Sequence, residues 1–231
     1  MSEPAYARGD TCGWDPAYMS IKAMNASWRS VLPLARQSRH VKGEYLQLGK
    51  ALLFLERGRV RLTHQSLEGT EKILWYVREG CIFGEAAFFE PTPDENCCIC
   101  TTACTIYAFS TENLWQISRE RPELLVNLFQ SMSRKIKILT YQASSLSLDS
   151  VLVRLCKFLS LRLVPGSNPL TAKIGISRHE MANLLGVHRV SLYRVLHQQE
   201  QRGLLGPITG SALTILRPQE FYKLVGACHG V

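Results

Sequence analysis

Arg189 and Arg194 stand five residues apart in the stretch Gly186-Val187-His188-Arg189-Val190-Ser191-Leu192-Tyr193-Arg194-Val195-Leu196. If the chain is helical from about His188 to Gln201, Leu192, Val195 and Leu196 share one face, and Arg189, Val190, Tyr193 and Arg194 are left on the other. Guanidinium groups presented this way can bond guanine O6 and N7 together, at about 1–3 kcal/mol of discrimination per pair. Val190 can touch a thymine methyl. Ser177, Arg178 and Ser191 suit phosphate oxygens, which orient a protein on DNA without reading it, and His188 completes the set at the start of the helix.

Such a helix needs a scaffold, and the preceding residues supply one. Ser177 is placed to cap a first helix, with Glu180 three residues on as the partner of a capping box. Met181, Leu184 and Leu185 form its apolar face, and Gly186 follows where a helix closes in the left-handed conformation. Ser177–Leu196 therefore has the layout of a helix-turn-helix whose second helix enters the major groove of duplex DNA. The stretch from Gly206 to Leu216, with a turn at Gly210-Ser211, reads as a β-hairpin and makes the module winged.

Charge is distributed accordingly. From Ser150 onward there are ten Lys and Arg against three Asp and Glu, while the rest holds 17 against 16, so +7 of the net +8 sits in the C-terminal part. A basic module beside a near-neutral one points to a polyanionic partner. With 46% hydrophobic and 20% charged residues in 231, the chain is globular and long enough for two cores. No apolar run is long enough for a bilayer and the N-terminus lacks the layout of a signal peptide, so a cytoplasmic protein without membrane contact is expected.

Other chemistries find less support. No Ser-His-Asp or HExxH spacing occurs, and a metal-dependent cupin would need a His-rich set where the strand region offers only His64, so no enzyme is expected. Cys97, Cys98, Cys100 and Cys104 form a dense string, but strand alternation sends Cys97 to one face and the other three to the opposite one, a poor cage for a tetrahedral metal. No cofactor is called for; haem through His64 or Cys81, or an iron–sulfur cluster, are the alternatives. Cys12 could pair with another cysteine in a regulatory disulfide.

Upstream of the basic module, short apolar stretches at 51–55, 60–63, 73–77 and 105–109 alternate with turns at Gly58, 67–69, 79–80 and 91–94, the grammar of an antiparallel jelly roll. Met1–Val41 is an irregular, partly helical lead-in. Thr111–Leu148 reads as a long helix, with Leu125, Leu128, Met132, Ile136, Leu139, Ala143 and Leu146 in a heptad-like seam that predicts a parallel homodimer. A further helix over 151–163 is capped by Asp149 or Ser150 and ends at Pro165–Pro169. The expected class is α+β: a sensor jelly roll (1–110), a dimerisation helix (111–148) and a winged helix-turn-helix (149–231).

This order resembles the CRP/FNR superfamily of bacterial regulators over about Gly43–Leu216. Phe83-Gly84-Glu85 followed by Phe88-Phe89-Glu90 looks like its effector-pocket segment; Thr102-Ala103-Cys104 and Leu148-Asp149 look like later landmarks. The recognition stretch is most similar to the chlorophenol-responsive halorespiration regulators, as is Asp10-Thr11-Cys12-Gly13. The resemblance implies a palindromic operator, a small-molecule effector and, for an activator, contact with RNA polymerase. Two departures stand out. Where cyclic-nucleotide-binding members cradle the phosphate with Arg-Ser, this chain has Pro93-Asp94-Glu95-Asn96, whose carboxylates repel a phosphate; Ile138 and Leu139 stand where such members contact the base. Cyclic AMP is therefore not the expected effector. Trp75, Tyr76, Phe88 and Phe89 could wall a pocket for a hydrophobic weak acid, with Arg134 and Lys137 near the place where the chlorophenol-type members present a cation. Val190 also replaces a glutamate common in the superfamily, so the half-site should differ there. A redox- or gas-responsive regulator, or a degenerate member acting through protein partners, are the alternatives.

Overall fold

The computed structural model describes residues 20–21, 24–49, 51–66, 71–90 and 96–226. Cys12, Asp94 and Glu95, with the expectations attached to them, lie outside the described residues. The chain divides into two compact units, Met1–Tyr141 and Gln142–Val231.

In the first unit two sheets share a core. One has the order β1 (Ser20–Ile21), β6 (Glu71–Arg78), β5 (Arg59–Gln65), β8 (Asn96–Cys100), β3 (Tyr45–Leu46). The other is β2 (Arg36–His40), β9 (Cys104–Phe109), β4 (Leu52–Arg57), β7 (Cys81–Phe83). All pairings are antiparallel except β1 with β6. Val60, Trp75, Val77, Cys98 and Cys100 from the first sheet meet Leu55, Cys81, Phe83, Cys104 and Ile106 from the second, which is the double-sheet jelly roll that the spacing of short strands predicts. The β4–β5 turn needs Gly58: its φ is +103°, and a Cβ there would lie 2.4 Å from the Ala103 carbonyl oxygen.

The described part of the lead-in is partly helical, as expected. A 3₁₀ helix, Ala26–Leu34, buries Trp28 edge-on against Phe109, with ring centroids 5.4 Å apart. Asn25 just ahead is fully buried and hydrogen-bonded through both its side-chain oxygen and its nitrogen. Its side chain accepts from the Ile82 amide (3.0 Å) and donates to Asn127 Oδ1 (2.8 Å).

After the short helix α1 (Glu85–Phe89), the segment expected to be one helix is two, α2 (Thr111–Glu120) and α3 (Pro122–Leu148). Arg121 between them has φ −141° and ψ 59°, because Pro122 disfavours a helical residue before it while suiting the first turn of the next helix. Ser110 opens α2 with a capping box shared with Asn113.

The second unit begins in the last turns of α3. It contains α4 (Val151–Ser160), α5 (Arg178–Leu185), α6 (Arg189–Gln201) and α7 (Pro218–Gly226), with a three-stranded sheet ordered β10 (Thr171–Lys173), β12 (Ala212–Ile215), β11 (Leu205–Thr209). The β11–β12 hairpin turns at Gly210-Ser211 as expected; β10 and α7 are additions. Ser150 caps α4, its hydroxyl accepting from the Val153 amide at 3.2 Å. The neighbouring Asp149 instead pairs with Lys157, which is buried, at 2.6 Å, and accepts from the Ser145 hydroxyl at 2.6 Å.

Candidate functional site

Ser177 has extended backbone and its hydroxyl accepts from the Glu180 amide at 3.1 Å, so α5 starts where the cap requires. It stops at Gly186, whose φ of 62° and ψ of 46° are left-handed. The amides of Gly186 and Val187 both return to the Ala182 carbonyl. A contact not foreseen from sequence holds this turn: Arg154 on α4 donates from Nη1 to the Leu185 carbonyl at 2.8 Å. That guanidinium is engaged by the carbonyls of the turn and is not free for DNA.

His188 is the N-cap of α6 rather than its first residue. Its Nδ1 accepts from the Val190 amide at 3.3 Å, so in the capped state the ring proton of a neutral His188 sits on Nε2. Leu192 and Leu196 are buried at 1% and 4% exposure, whereas Val190 (56%) and Tyr193 (59%) face out with Arg189 and Arg194. Val195 and Ser191 are half-buried. Tyr193 lies nearly parallel to His197, centroids 6.3 Å apart at 13°. The helices enclose an open hollow of about 320 Å³ whose lining is mostly apolar, with Val190, Tyr193, Leu192 and Leu196 among its walls and Arg178 and Arg189 beside them. His179, which the sequence reading passed over, also lines it.

In the sensor unit the expected pocket residues separate. Trp75 points into the shared core, but Tyr76, the next residue on β6, faces the opposite side of the sheet beneath the Arg59 guanidinium (5.2 Å to the ring centroid). The two cannot wall one pocket. Phe88 packs into the core around Trp28, and Phe89, edge-on to it, is half exposed. Gly84 is the N-cap of α1, and Glu85 is buried at 8% exposure. The Glu85 carboxylate is ion-paired with Lys135, whose ammonium also donates to the Ile82 carbonyl at 2.8 Å. Arg134 and Lys137, the cations expected here, are exposed; Lys135 is the one turned inward, on the same helical face as Ile138, which is buried in the jelly-roll core. The i, i+3 relation to Ile138 was the available signal for Lys135.

The seam of α3 also needs correction. Leu128 is buried in the unit's own core beside Leu124, Met132 packs against that cluster, and Leu125 is half-buried. The large apolar residues of α3 left exposed are Val126, Phe129, Ile136, Leu139, Leu146 and Leu148, with Ala143 between Leu139 and Leu146. Meanwhile Ser131, Lys135, Gln142 and Ser145 are buried. The helix turns a partly polar stripe inward and an apolar one outward, which a lone chain in water would not favour.

Cys97, Cys98 and Cys100 alternate along β8, with Cys98 and Cys100 buried and Cys97 on the other face half-buried, but Cys104, also buried, is not in that strand: it opens β9 in the second sheet. Burial first, then the neighbouring Cys104, push the Cys100 thiol up to about 12. Cys81 is core. Among the described residues, no group of three or more His, Cys, Asp or Glu could hold a metal ion, and no helix is long and apolar enough to cross a membrane.

Residues 46–121 match the cyclic nucleotide-binding domain, and residues 153–224 match the Crp-like helix-turn-helix domain. The chain belongs to the CRP/FNR family of transcription regulators. It is 26% identical over 160 residues to the cAMP-activated global transcriptional regulator CRP of Salmonella typhimurium, spanning 68% of this chain and 76% of that one. With the Cyclic AMP receptor protein of Thermus thermophilus it shares 29% over 164 residues, 70% and 74% of the two chains. Its fold is shared by the structures of a CooA mutant from Carboxydothermus hydrogenoformans (TM-score 0.73, 18% identity, 90% and 97% covered) and of CprK complexed with OCPA (TM-score 0.71, 17% identity, 84% and 92% covered). As a CRP/FNR regulator the chain couples an effector-binding domain to a DNA-binding one. Its relatives are regulators of transcription, not enzymes.

Proposed function

We propose that this regulator works in the cytoplasm as a homodimer joined along the exposed apolar face of α3, and binds a palindromic operator through two copies of α6. The observation that carries this reading is the capped, outward-facing α6, with Arg189, Val190, Tyr193 and Arg194 exposed over a buried Leu192–Leu196 stripe. Arg189 and Arg194 read guanines; Ser177, Arg178, His188 and Ser191 hold phosphates. For an activator, the protein partner is RNA polymerase.

The effector is a small hydrophobic weak acid rather than cyclic AMP. Glu85 is already engaged by Lys135, and Ile138 offers a base no hydrogen bond. An anionic ligand with an apolar body would instead compete with Glu85 for the Lys135 ammonium, and the bound state would favour a dimer whose recognition helices match successive major grooves. A ligand of this kind agrees with the resemblance of the recognition stretch to the chlorophenol-responsive regulators, and the reading calls for no haem or cluster. The test is selection of duplexes from a random pool with and without candidate acids. A palindrome enriched by one compound, bound with a steep salt dependence and weakened by Arg189→Ala or Arg194→Ala, is the expected result. Indifference to salt and to both substitutions would instead favour a member that acts through protein partners.

A further inference from the structure

The hollow beside α6 has a composition unusual for a surface that meets DNA. Arg178, His179, His188 and Arg189 line it together with Val190, Leu192, Tyr193 and Leu196, yet the lining surface is mostly apolar, and Leu192 and Leu196 are buried. Water inside would find few hydrogen-bond partners, so the hollow favours an apolar group. Major-groove base edges present one such group, the methyl at C5 of a pyrimidine. Along α6 the stack of Tyr193 on His197 keeps the phenol from folding away, and the His188 cap holds Val190 at the first turn.

We propose that this hollow reads a 5-methylpyrimidine by its methyl group alone, and so accepts 5-methylcytosine as well as thymine. This deepens, and rests on, the proposal that α6 reads the operator. Thymine and 5-methylcytosine carry the methyl in the same place and differ beside it, an O4 acceptor in one and an N4 amino donor in the other. Val190 cannot sense that difference. The Tyr193 hydroxyl donates to the first or accepts from the second with equal ease. A carboxylate at position 190 would accept only from the amino group. The substitution therefore does more than alter the preferred base: it makes operator affinity depend on cytosine methylation wherever a half-site carries C at that step.

The test uses the full-length protein and its selected operator. Each pyrimidine of the half-site is replaced in turn to compare thymine with uracil and 5-methylcytosine with cytosine, so that only the methyl changes within each pair. At one position the methyl should raise affinity about fourfold in both pairs, the factor for burying one methylene-sized group. Val190→Ala, at an exposed position that leaves the fold intact, should bring both ratios towards one. Val190→Glu should favour unmethylated cytosine there. Equal binding of thymine and uracil at every position, or a methyl gain for thymine without one for 5-methylcytosine, overturns the inference while leaving the regulator reading in place. Failure to bind any duplex selectively overturns both.

Discussion

Replacing Lys135 by Met keeps the length of the side chain and removes the charge that faces Glu85. Both side chains are about nine-tenths buried, so little solvent screens the pair. Removing one partner of a buried ion pair strands the other charge, at about 3–5 kcal/mol. Lys135→Met should cost that much, and Glu85→Gln somewhat less, since the ammonium keeps the Ile82 carbonyl at 2.8 Å. Replacing both partners with Met should recover most of the loss, because the apolar pair carries no stranded charge into the core. All four tryptophans (Trp14, Trp28, Trp75 and Trp115) precede Tyr141, so fluorescence during urea unfolding reports the first unit. A loss of about 3–5 kcal/mol corresponds to a melting temperature lower by roughly 10–17 °C for a unit of this size. A cost below about 1 kcal/mol for Lys135→Met, or a double variant as unstable as the sum of the singles, would refute the claim that the pair is a buried unit.

Gly58→Ala should destabilise the jelly roll severely, because φ is +103° and the new Cβ would meet the Ala103 carbonyl at 2.4 Å; loss of soluble protein or of cooperative melting is the readout. Arg154→Ala and Arg189→Ala should separate two kinds of positive charge. The first lowers stability of the second unit by about 1–3 kcal/mol through the orphaned Leu185 carbonyl; the second leaves stability unchanged and lowers duplex affinity and its salt slope. Phe129→Glu, on a residue 61% exposed, should dissociate the dimer in analytical ultracentrifugation without lowering the stability of the first unit. Burial pushes the Cys156 thiol up from 9.0 to about 12. The folded chain then keeps a proton that the unfolded chain releases, so this contribution is complete below about pH 9 and is lost as pH rises towards 12. The urea midpoint of Cys156→Ala should fall less steeply than that of the wild type over this window.

How much of this was legible depended on whether the cause was local. The helix-turn-helix was, because its caps act within four residues, Ser177 on Glu180, Gly186 on Ala182 and His188 on Val190, whereas the Arg154 contact to Leu185, 31 residues away, was not. The break at Arg121 was legible too, in Pro122, which suits the first turn of a helix better than its interior. The buried Asn25 was not. Its partners, Asn127 and Ile82, are 102 and 57 residues away, and nothing near Asn25 distinguishes it from a surface turn residue.

Misplacements in the site were errors of phase. Arg134 is exposed where Lys135 is buried, Phe129 is exposed where Leu128 is buried, and Tyr76 is turned to the face of the sheet opposite Trp75, so a shift of one position reverses the direction of a side chain. Periodicity finds the stripe, but α3 carries two, and only the packing of Leu124, Leu128 and Ile138 on the sensor core decides which one turns inward. Net charge misled in the same way. Arg154 is bound to the α5–α6 turn and Lys157 to Asp149, so part of the basic excess after Ser150 builds the module instead of meeting DNA. The salt dependence of operator binding should therefore be set by the exposed cations around α6, and fall short of what the composition of the whole module suggests.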